Sequence, residues 1–398
     1  MLNKIKKQIV FVEPKPAVNS YRIARSLKLT GRYKTTLICF SSTLSAIEVD
    51  KKFLERAFDK ILVLELSHKL KFRILISSLK NILSEEGRKF FKEIKKMKPY
   101  LFQITGPDLF SSIMMFSLRK SPKVYYANDI WGVDKRNFLF IKDYWIKGEV
   151  QKFSEKICFK MADGALTKKS SEEFELLDYN ITVPKMSLFL NCLDEWILPP
   201  RKKENKKIHL TFGGDPTPTE DKQIPFINVL KTITSQKIYF HTYGPCIVKK
   251  EDQTFVEESK KNKYYYYHKR IKPSDLTKKM SKYNYGVIFR FIESSEADLN
   301  PGRVKTDMSS RMISYIEAGL PIIVNKQNEY MAKIVNKYKI GIVIDNFQDL
   351  KNIRKIIEQK DYYNLQKNIK KVQEKFKLSK QIKNIELFYD KVVRMKKK

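Results

Sequence analysis

Apolar positions along this chain follow two alternating spacings. Short β-branched runs at 8–13 (QIVFVE), 35–40 (TTLICF), 61–66, 101–105, 123–129 and 164–167 read as strands. Between most of them lie longer segments with apolar residues three and four apart. Residues 19–31 carry Ile23, Leu27 and Leu29 and close on Gly31, and 85–98 and 146–161 follow the same pattern. The alternation predicts a mostly parallel sheet covered by helices on both faces.

After residues 198–207, proline-rich and then basic, the pattern restarts. Strands are expected at 208–214, 237–245, 263–271, 285–291 and 340–344, helices at 222–234 and 273–281, and a helical, lysine-rich end over 347–398. The predicted organisation is an α/β domain at 1–197, a linker at 198–207 and a second α/β domain at 208–378. A last helix follows at 379–398. The run YYYY at 264–267 reads as a half-buried strand, with base stacking as the alternative.

Charge adds a partner class. The 398 residues carry a formal net charge of +35, which suits an anionic partner: nucleic acid, an acidic membrane face or phosphorylated substrates. Lysine enrichment of the whole sequence is the plainer explanation. Lysines spread along the entire chain and the lack of a recognised binding motif disfavour nucleic acid. Cys39, Cys158, Cys192 and Cys246 lack metal-ligand or redox spacing, which suggests free thiols in a reducing compartment. The four histidines look scattered, so no metal site is expected. The N-terminal apolar run is too short for a signal sequence, and no stretch approaches the ~20 apolar residues of a spanning helix. The expected location is cytoplasmic, soluble or peripheral on the inner face of the membrane.

The candidate chemistry lies in the second half. Ligands of open parallel sheets bind beyond the carboxyl ends of strands, and two such loops bear glycine: Gly213 with Gly214, and Gly244. Neither matches a dinucleotide or Walker pattern. Residues 309–325 (SSRMISYIEAGLPIIVN) predict a helix capped by Ser309 or Ser310 and ended by Gly319 and Pro321, feeding a strand. Its free N–H groups and dipole favour an anion. Arg311 in the first turn suits phosphate oxygens; a solvent-exposed arginine is the alternative. The serine end should face the ligand and the glycine end pack beneath the sheet.

These residues resemble the C-terminal domain of GT-B glycosyltransferases, most nearly the large retaining family 4-like group that uses nucleotide-sugars. The stretch 310–323 carries the most specific match, and 19–40, 123–131, 149–177 and 188–194 extend it over almost the whole chain. The resemblance implies two Rossmann-like domains facing across a cleft, with a C-terminal helix crossing back to the first. It implies a UDP- or GDP-linked donor on the C-terminal domain and a glycan or lipid-linked acceptor on the N-terminal one, without cofactor or metal. Arg311 and Ser310 would hold the diphosphate, Gly213, Gly214 and Gly244 the donor loops, and Lys222 the leaving phosphate. Arg290 would also contact the donor. The family's usual pair of glutamates is replaced by Thr306 and Ser314. Glu317, nearly one turn on, is a substitute for the ribose contact or a surface residue. Glu293, Glu296 and Asp298 lie near the expected donor sugar. In an inverting reaction Asp129 is the candidate base; capping a turn is its alternative role. Ser314 also leaves open a degenerate binder of sugar nucleotides, beside an epimerase of the same architecture.

Overall fold

The computed structural model describes residues 6–14, 16–40, 51–64, 84–128, 130, 145–168, 172–175, 179–201, 207–214, 224–244, 252–269, 271–292 and 308–397. They divide into two units: Met1–Asn191 with Leu378–Lys398, and Cys192–Lys377.

The first unit opens with β1 (Lys7–Val12), α1 (Val18–Leu29), β2 (Tyr33–Phe40), α2 (Lys51–Ala57), β3 (Lys60–Leu64) and α3 (Glu85–Lys96). It continues through β4 (Leu101–Thr105), α4 (Leu109–Ser117), β5 (Lys123–Ala127), α5 (Trp145–Met161), β6 (Gly164–Thr167), α6 (Glu172–Glu175) and β7 (Lys185–Ser187). The strands form one parallel sheet in the order β3-β2-β1-β4-β5-β6-β7. Residues 9–12 of β1 and all of β4 and β5 are buried, as expected where helices cover both faces.

The second unit runs β8 (His209–Gly213), α7 (Phe226–Thr234), β9 (Tyr239–Tyr243), α8 (Asp252–Lys261), β10 (Tyr265–His268), α9 (Pro273–Met280) and β11 (Tyr285–Ile288). After these come α10 (Ser310–Glu317), β12 (Ile322–Asn325), α11 (Glu329–Tyr338), β13 (Gly341–Ile344), α12 (Phe347–Leu350), α13 (Ile353–Glu358) and α14 (Tyr362–Phe376). Its parallel sheet has the order β10-β9-β8-β11-β12-β13. The tyrosine run is a strand: Tyr265 is buried while Tyr266 is 42% exposed on the edge strand β10.

The last helix, α15 (Leu378–Lys397), belongs to the first unit. The Tyr389 hydroxyl bonds Gln103 Oε1, and Lys396 pairs with Asp163 at 2.9 Å. A Cβ on Gly164 would stand 2.5 Å from Val392 Cγ2, so only glycine admits the helix this close to β6.

The crossover into the second unit falls at Asn191/Cys192, six residues before the expected 197, and the return at Lys377/Leu378. Side chains of the second unit capture the crossover segment early. Leu193 N–H donates to Glu317 Oε1 at 2.8 Å and Leu198 N–H to the Glu317 carbonyl at 2.7 Å. Gln373 Nε2 donates to the carbonyls of Leu198 at 2.8 Å and Ile316 at 2.7 Å. Composition marked the linker at its prolines, whereas these contacts begin at Leu193.

Candidate functional site

Strand β8 ends at Gly213, and Gly214 turns the chain at φ +141°, its N–H donating to Tyr243 O at 3.1 Å. A Cβ at position 214 would stand 2.8 Å from Arg311 Nε and 3.2 Å from Nη2. The guanidinium therefore lies directly against this backbone, where any larger residue would displace it. Arg311 Cζ also sits 4.4 Å from the centre of the buried Phe212 ring, a cation–π contact. The first turn of α10 and the end of β8, about a hundred residues apart in sequence, thus build one corner.

Tyr315 fixes that corner from below. Its hydroxyl accepts the Gly213 N–H at 3.2 Å and donates to Val287 O at 3.1 Å. Burial pushes its phenol up to about 12, so it remains a neutral donor near pH 7. One buried side chain thereby ties α10 to both β8 and β11.

Ser309, rather than Ser310, caps α10: its hydroxyl accepts the Arg311 N–H at 3.3 Å. Ser310, Arg311 and Ser314 are all half-exposed, whereas Met312, Ile313 and Tyr315 are buried. The Ser314 hydroxyl leans back on the Ser310 carbonyl at 3.4 Å. The first turn holds no acidic residue, so its field is positive and a guanidinium adds to it. An anion with several oxygens is the natural complement.

Other candidates take different places. Glu317 is neither a surface residue nor presented beside Arg311. It is fully buried, and its carboxylate is committed to the Leu193 N–H at the far end of α10. The Gly319 end packs on the crossover segment rather than beneath the sheet, since a Cβ there would meet Pro200 Cα at 2.9 Å. Gly244 lies under the Tyr267 ring, where a Cβ would stand 2.1 Å from its hydroxyl oxygen. Arg290 is held through its backbone: its N–H donates to Asn325 Oδ1 at 2.8 Å, and Asn325 Nδ2 donates to its carbonyl at 2.6 Å. Gln327 repeats the pairing with Ile292 N–H and C=O, both at 3.1 Å. Two amide side chains thus continue the ladder of β11 beyond its last strand residue, and the sequence reading missed both. Asp129, Lys222, Glu293, Glu296, Asp298 and Thr306 lie outside the described residues.

Three of the four histidines are not scattered; His68 lies outside the described residues. His209, His241 and His268 stand on adjacent strands with ring nitrogens 3.0 and 3.2 Å apart, and His241 stacks on Tyr283. Burial, and then the two flanking imidazoles, drive His241 down to about 3. Among the described residues no group of three or more His, Cys, Asp or Glu side chains is arranged to hold a metal ion.

Two parallel Rossmann-like sheets, with a final helix returned to the first, define the α/β fold of the GT-B glycosyltransferases. Residues 219–385, under half of the chain, match the family described as Glucosyltransferase 3-like, C-terminal domain, so the segment carrying Arg311 is glycosyltransferase-like in sequence as well. No curated protein sequence matches the chain. The pneumococcal O-GlcNAc transferase GtfA, solved in complex with UDP and GlcNAc, superposes with a TM-score of 0.63 at 9% identity, covering 98% of this chain and 99% of that one. Arabidopsis thaliana UGT89C1, complexed with quercetin, gives 0.58 at 10% identity over 98% and 99%. A UDP-N-acetylglucosamine 2-epimerase from Listeria monocytogenes, itself described as putative, gives 0.59 at 9% over 96% and 95%. At such identities the likeness is one of fold. Among the described residues no helix is long and apolar enough to cross a membrane.

Proposed function

We propose that this chain is a glycosyltransferase that moves a sugar from a UDP- or GDP-linked donor to a glycan or lipid-linked acceptor. The observation that carries the reading is Arg311 laid against Gly214 and Phe212 at the capped start of α10. There a guanidinium and helical N–H groups converge on one anion, and they would stabilise the diphosphate as it leaves. That charge neutralisation supports transfer without a metal, and Lys222 would add to it. The epimerase likeness leaves the fold neutral between reactions; the Glucosyltransferase 3-like match favours transfer.

Location belongs to the same proposal: cytoplasmic, peripheral on an anionic membrane face, serving assembly of cell-surface glycans. A groove between α3 and α4 supports it. Arg88, Lys92, Lys95 and Lys96 line it over an apolar floor of Phe91 and Ile113. Lys92, Lys95 and Lys96 form no ion pair among the described residues, while Lys89 of the same helix pairs with Glu85. Anionic lipid attracts such a cluster.

The test is thermal-shift titration with UDP and GDP beside nucleoside diphosphate release from a panel of nucleotide-sugars. Stabilisation by one diphosphate, abolished in Arg311→Ala, is expected. Equal stabilisation of wild type and variant, or tight salt-sensitive RNA binding with no nucleotide binding, would overturn the assignment.

A further inference from the structure

Where β12 ends, two side-chain amides take over the pairing of the chain that leaves β11. In this sheet β9 and β10 lie on one side of β8 and β11 to β13 on the other, so the connections reverse between β8 and β11. Ligands of open α/β sheets bind at such a reversal, beyond the carboxyl ends of the strands. Gly213 and Gly214 stand there at the end of β8, and Arg290 follows two residues after β11 ends at Ile288. The two strands pair Tyr285 with Leu210 and Gly286 with Thr211. The Tyr315 hydroxyl, bonded to both Gly213 N–H and Val287 O, keeps their ends level. Continued past Ile288, that register sets Arg290 one residue beyond the level of Gly214.

Asn325 is fully buried and takes both backbone groups of Arg290, while Gln327 takes both of Ile292. Asn328, itself buried, donates to Asn325 Oδ1 at 2.6 Å and so fixes which way the Asn325 amide faces. Residues 290 and 292 thus show N–H and C=O to one side, as a strand does. The Phe291 carbonyl turns to the other side and accepts the Ile224 N–H at 2.8 Å. Side chains of such a segment alternate between the two faces of the sheet. Val287, Phe289 and Phe291 share one apolar cluster. On the opposite face a Cβ at Gly286 would overlap the Tyr315 ring, so that face belongs to α10. Arg290, an even number of residues on from Gly286, therefore emerges on the α10 face at the capped end of that helix. Like Arg311 it is half-exposed.

We propose that Asn325 and Gln327 are positioning residues for the donor corner: by carrying β11 past its end, they aim the Arg290 guanidinium at the same diphosphate that Arg311 holds. The inference rests on the glycosyltransferase reading above. Two guanidiniums from neighbouring elements suit a group with two phosphates better than one does. Held in place before the ligand arrives, the second stabilises the charge that collects on the leaving diphosphate. An arginine on an unrestrained loop would lose much of that effect to the entropy of ordering it.

The test is calorimetric titration of the nucleoside diphosphate, UDP or GDP, that stabilises the wild type, beside the matching monophosphate. Arg290→Ala and Asn325→Ala should each weaken diphosphate binding about tenfold and monophosphate binding far less. In the Arg290→Ala background the Asn325 change should cost under about twofold further affinity, although it still lowers the urea midpoint. Unchanged diphosphate affinity in Arg290→Ala, additive losses in the double variant, or equal losses for both nucleotides would overturn the proposal and leave the amides as a structural brace. If neither diphosphate stabilises the wild type, or Arg311→Ala binds it equally well, the donor reading fails and this inference with it. Should Asn325→Ala not fold, Gln327→Ala decides. Diphosphate binding about threefold weaker, with no such loss in the Arg290→Ala background, supports the clamp, and wild-type affinity overturns it.

Discussion

The Glu317 carboxylate accepts the Leu193 N–H at 2.8 Å across 124 residues of sequence, with the carboxylate wholly buried. The helix that presents Arg311 at one end therefore grips the interunit crossover segment at the other. Glu317→Ala would leave a buried N–H without a partner, a cost of about 1–3 kcal/mol. Urea unfolding should report that loss and hydrogen exchange should accelerate at Leu193, whereas Glu317→Gln, which keeps an acceptor oxygen, should stay near wild type.

Gly214→Ala brings two faults together: a φ of +141° that alanine resists and a Cβ 2.8 Å from Arg311 Nε. Affinity for whichever of UDP and GDP stabilises the wild type should fall about tenfold or more as the guanidinium is pushed aside. In an Arg311→Ala background the same glycine change should cost little further affinity. Additive losses in calorimetric titration would mean that the two do not share a ligand.

Tyr315→Phe removes one hydroxyl that serves both Gly213 and Val287. We expect destabilisation of about 1–3 kcal/mol by chemical denaturation, with weaker binding of the stabilising nucleoside diphosphate because the Gly213–Gly214 turn loses its tether.

The two units should answer pH in opposite directions. His209, His241 and His268 are all depressed from 6.5, by burial foremost, with His241 near 3. The unfolded chain protonates them first, so the second unit loses stability as pH falls below 6.5. In the first unit, Glu13 rises from 4.5 to about 7 and Asp108 from 3.8 to about 6. Their contribution is complete below those ordinary values and is lost as pH rises through the folded ones. Native-state hydrogen exchange at pH 5 and pH 7, corrected for intrinsic rates, should show β8 and β9 better protected at pH 7 and β1 and β4 at pH 5. Parallel trends in both units would contradict this.

The strand and helix pattern was legible because both sheets are parallel and buried, which leaves short runs dominated by apolar residues, such as Ile9–Val12 in β1 and Ile322–Val324 in β12. The bounds of α10 were legible because caps and a terminal glycine are local signals. What could not be read depends on residues that meet only through the fold. Glu317 looks like any helical glutamate until Leu193 is beside it. Asn325 and Gln327 reach residues 35 positions away. The three imidazoles share no spacing in sequence, because the strand register, not the chain, lines them up.

Tyr389, Asp390 and Lys396 on α15 close the first unit by binding Gln103, Lys7 and Asp163. A ribosome makes α15 only after the whole intervening unit, so at ~5–20 residues per second the early sheet waits roughly 10–40 s for its last helix. Throughout that interval the nascent chain carries a bare flank at β5 and β6, a natural stopping place for a chaperone.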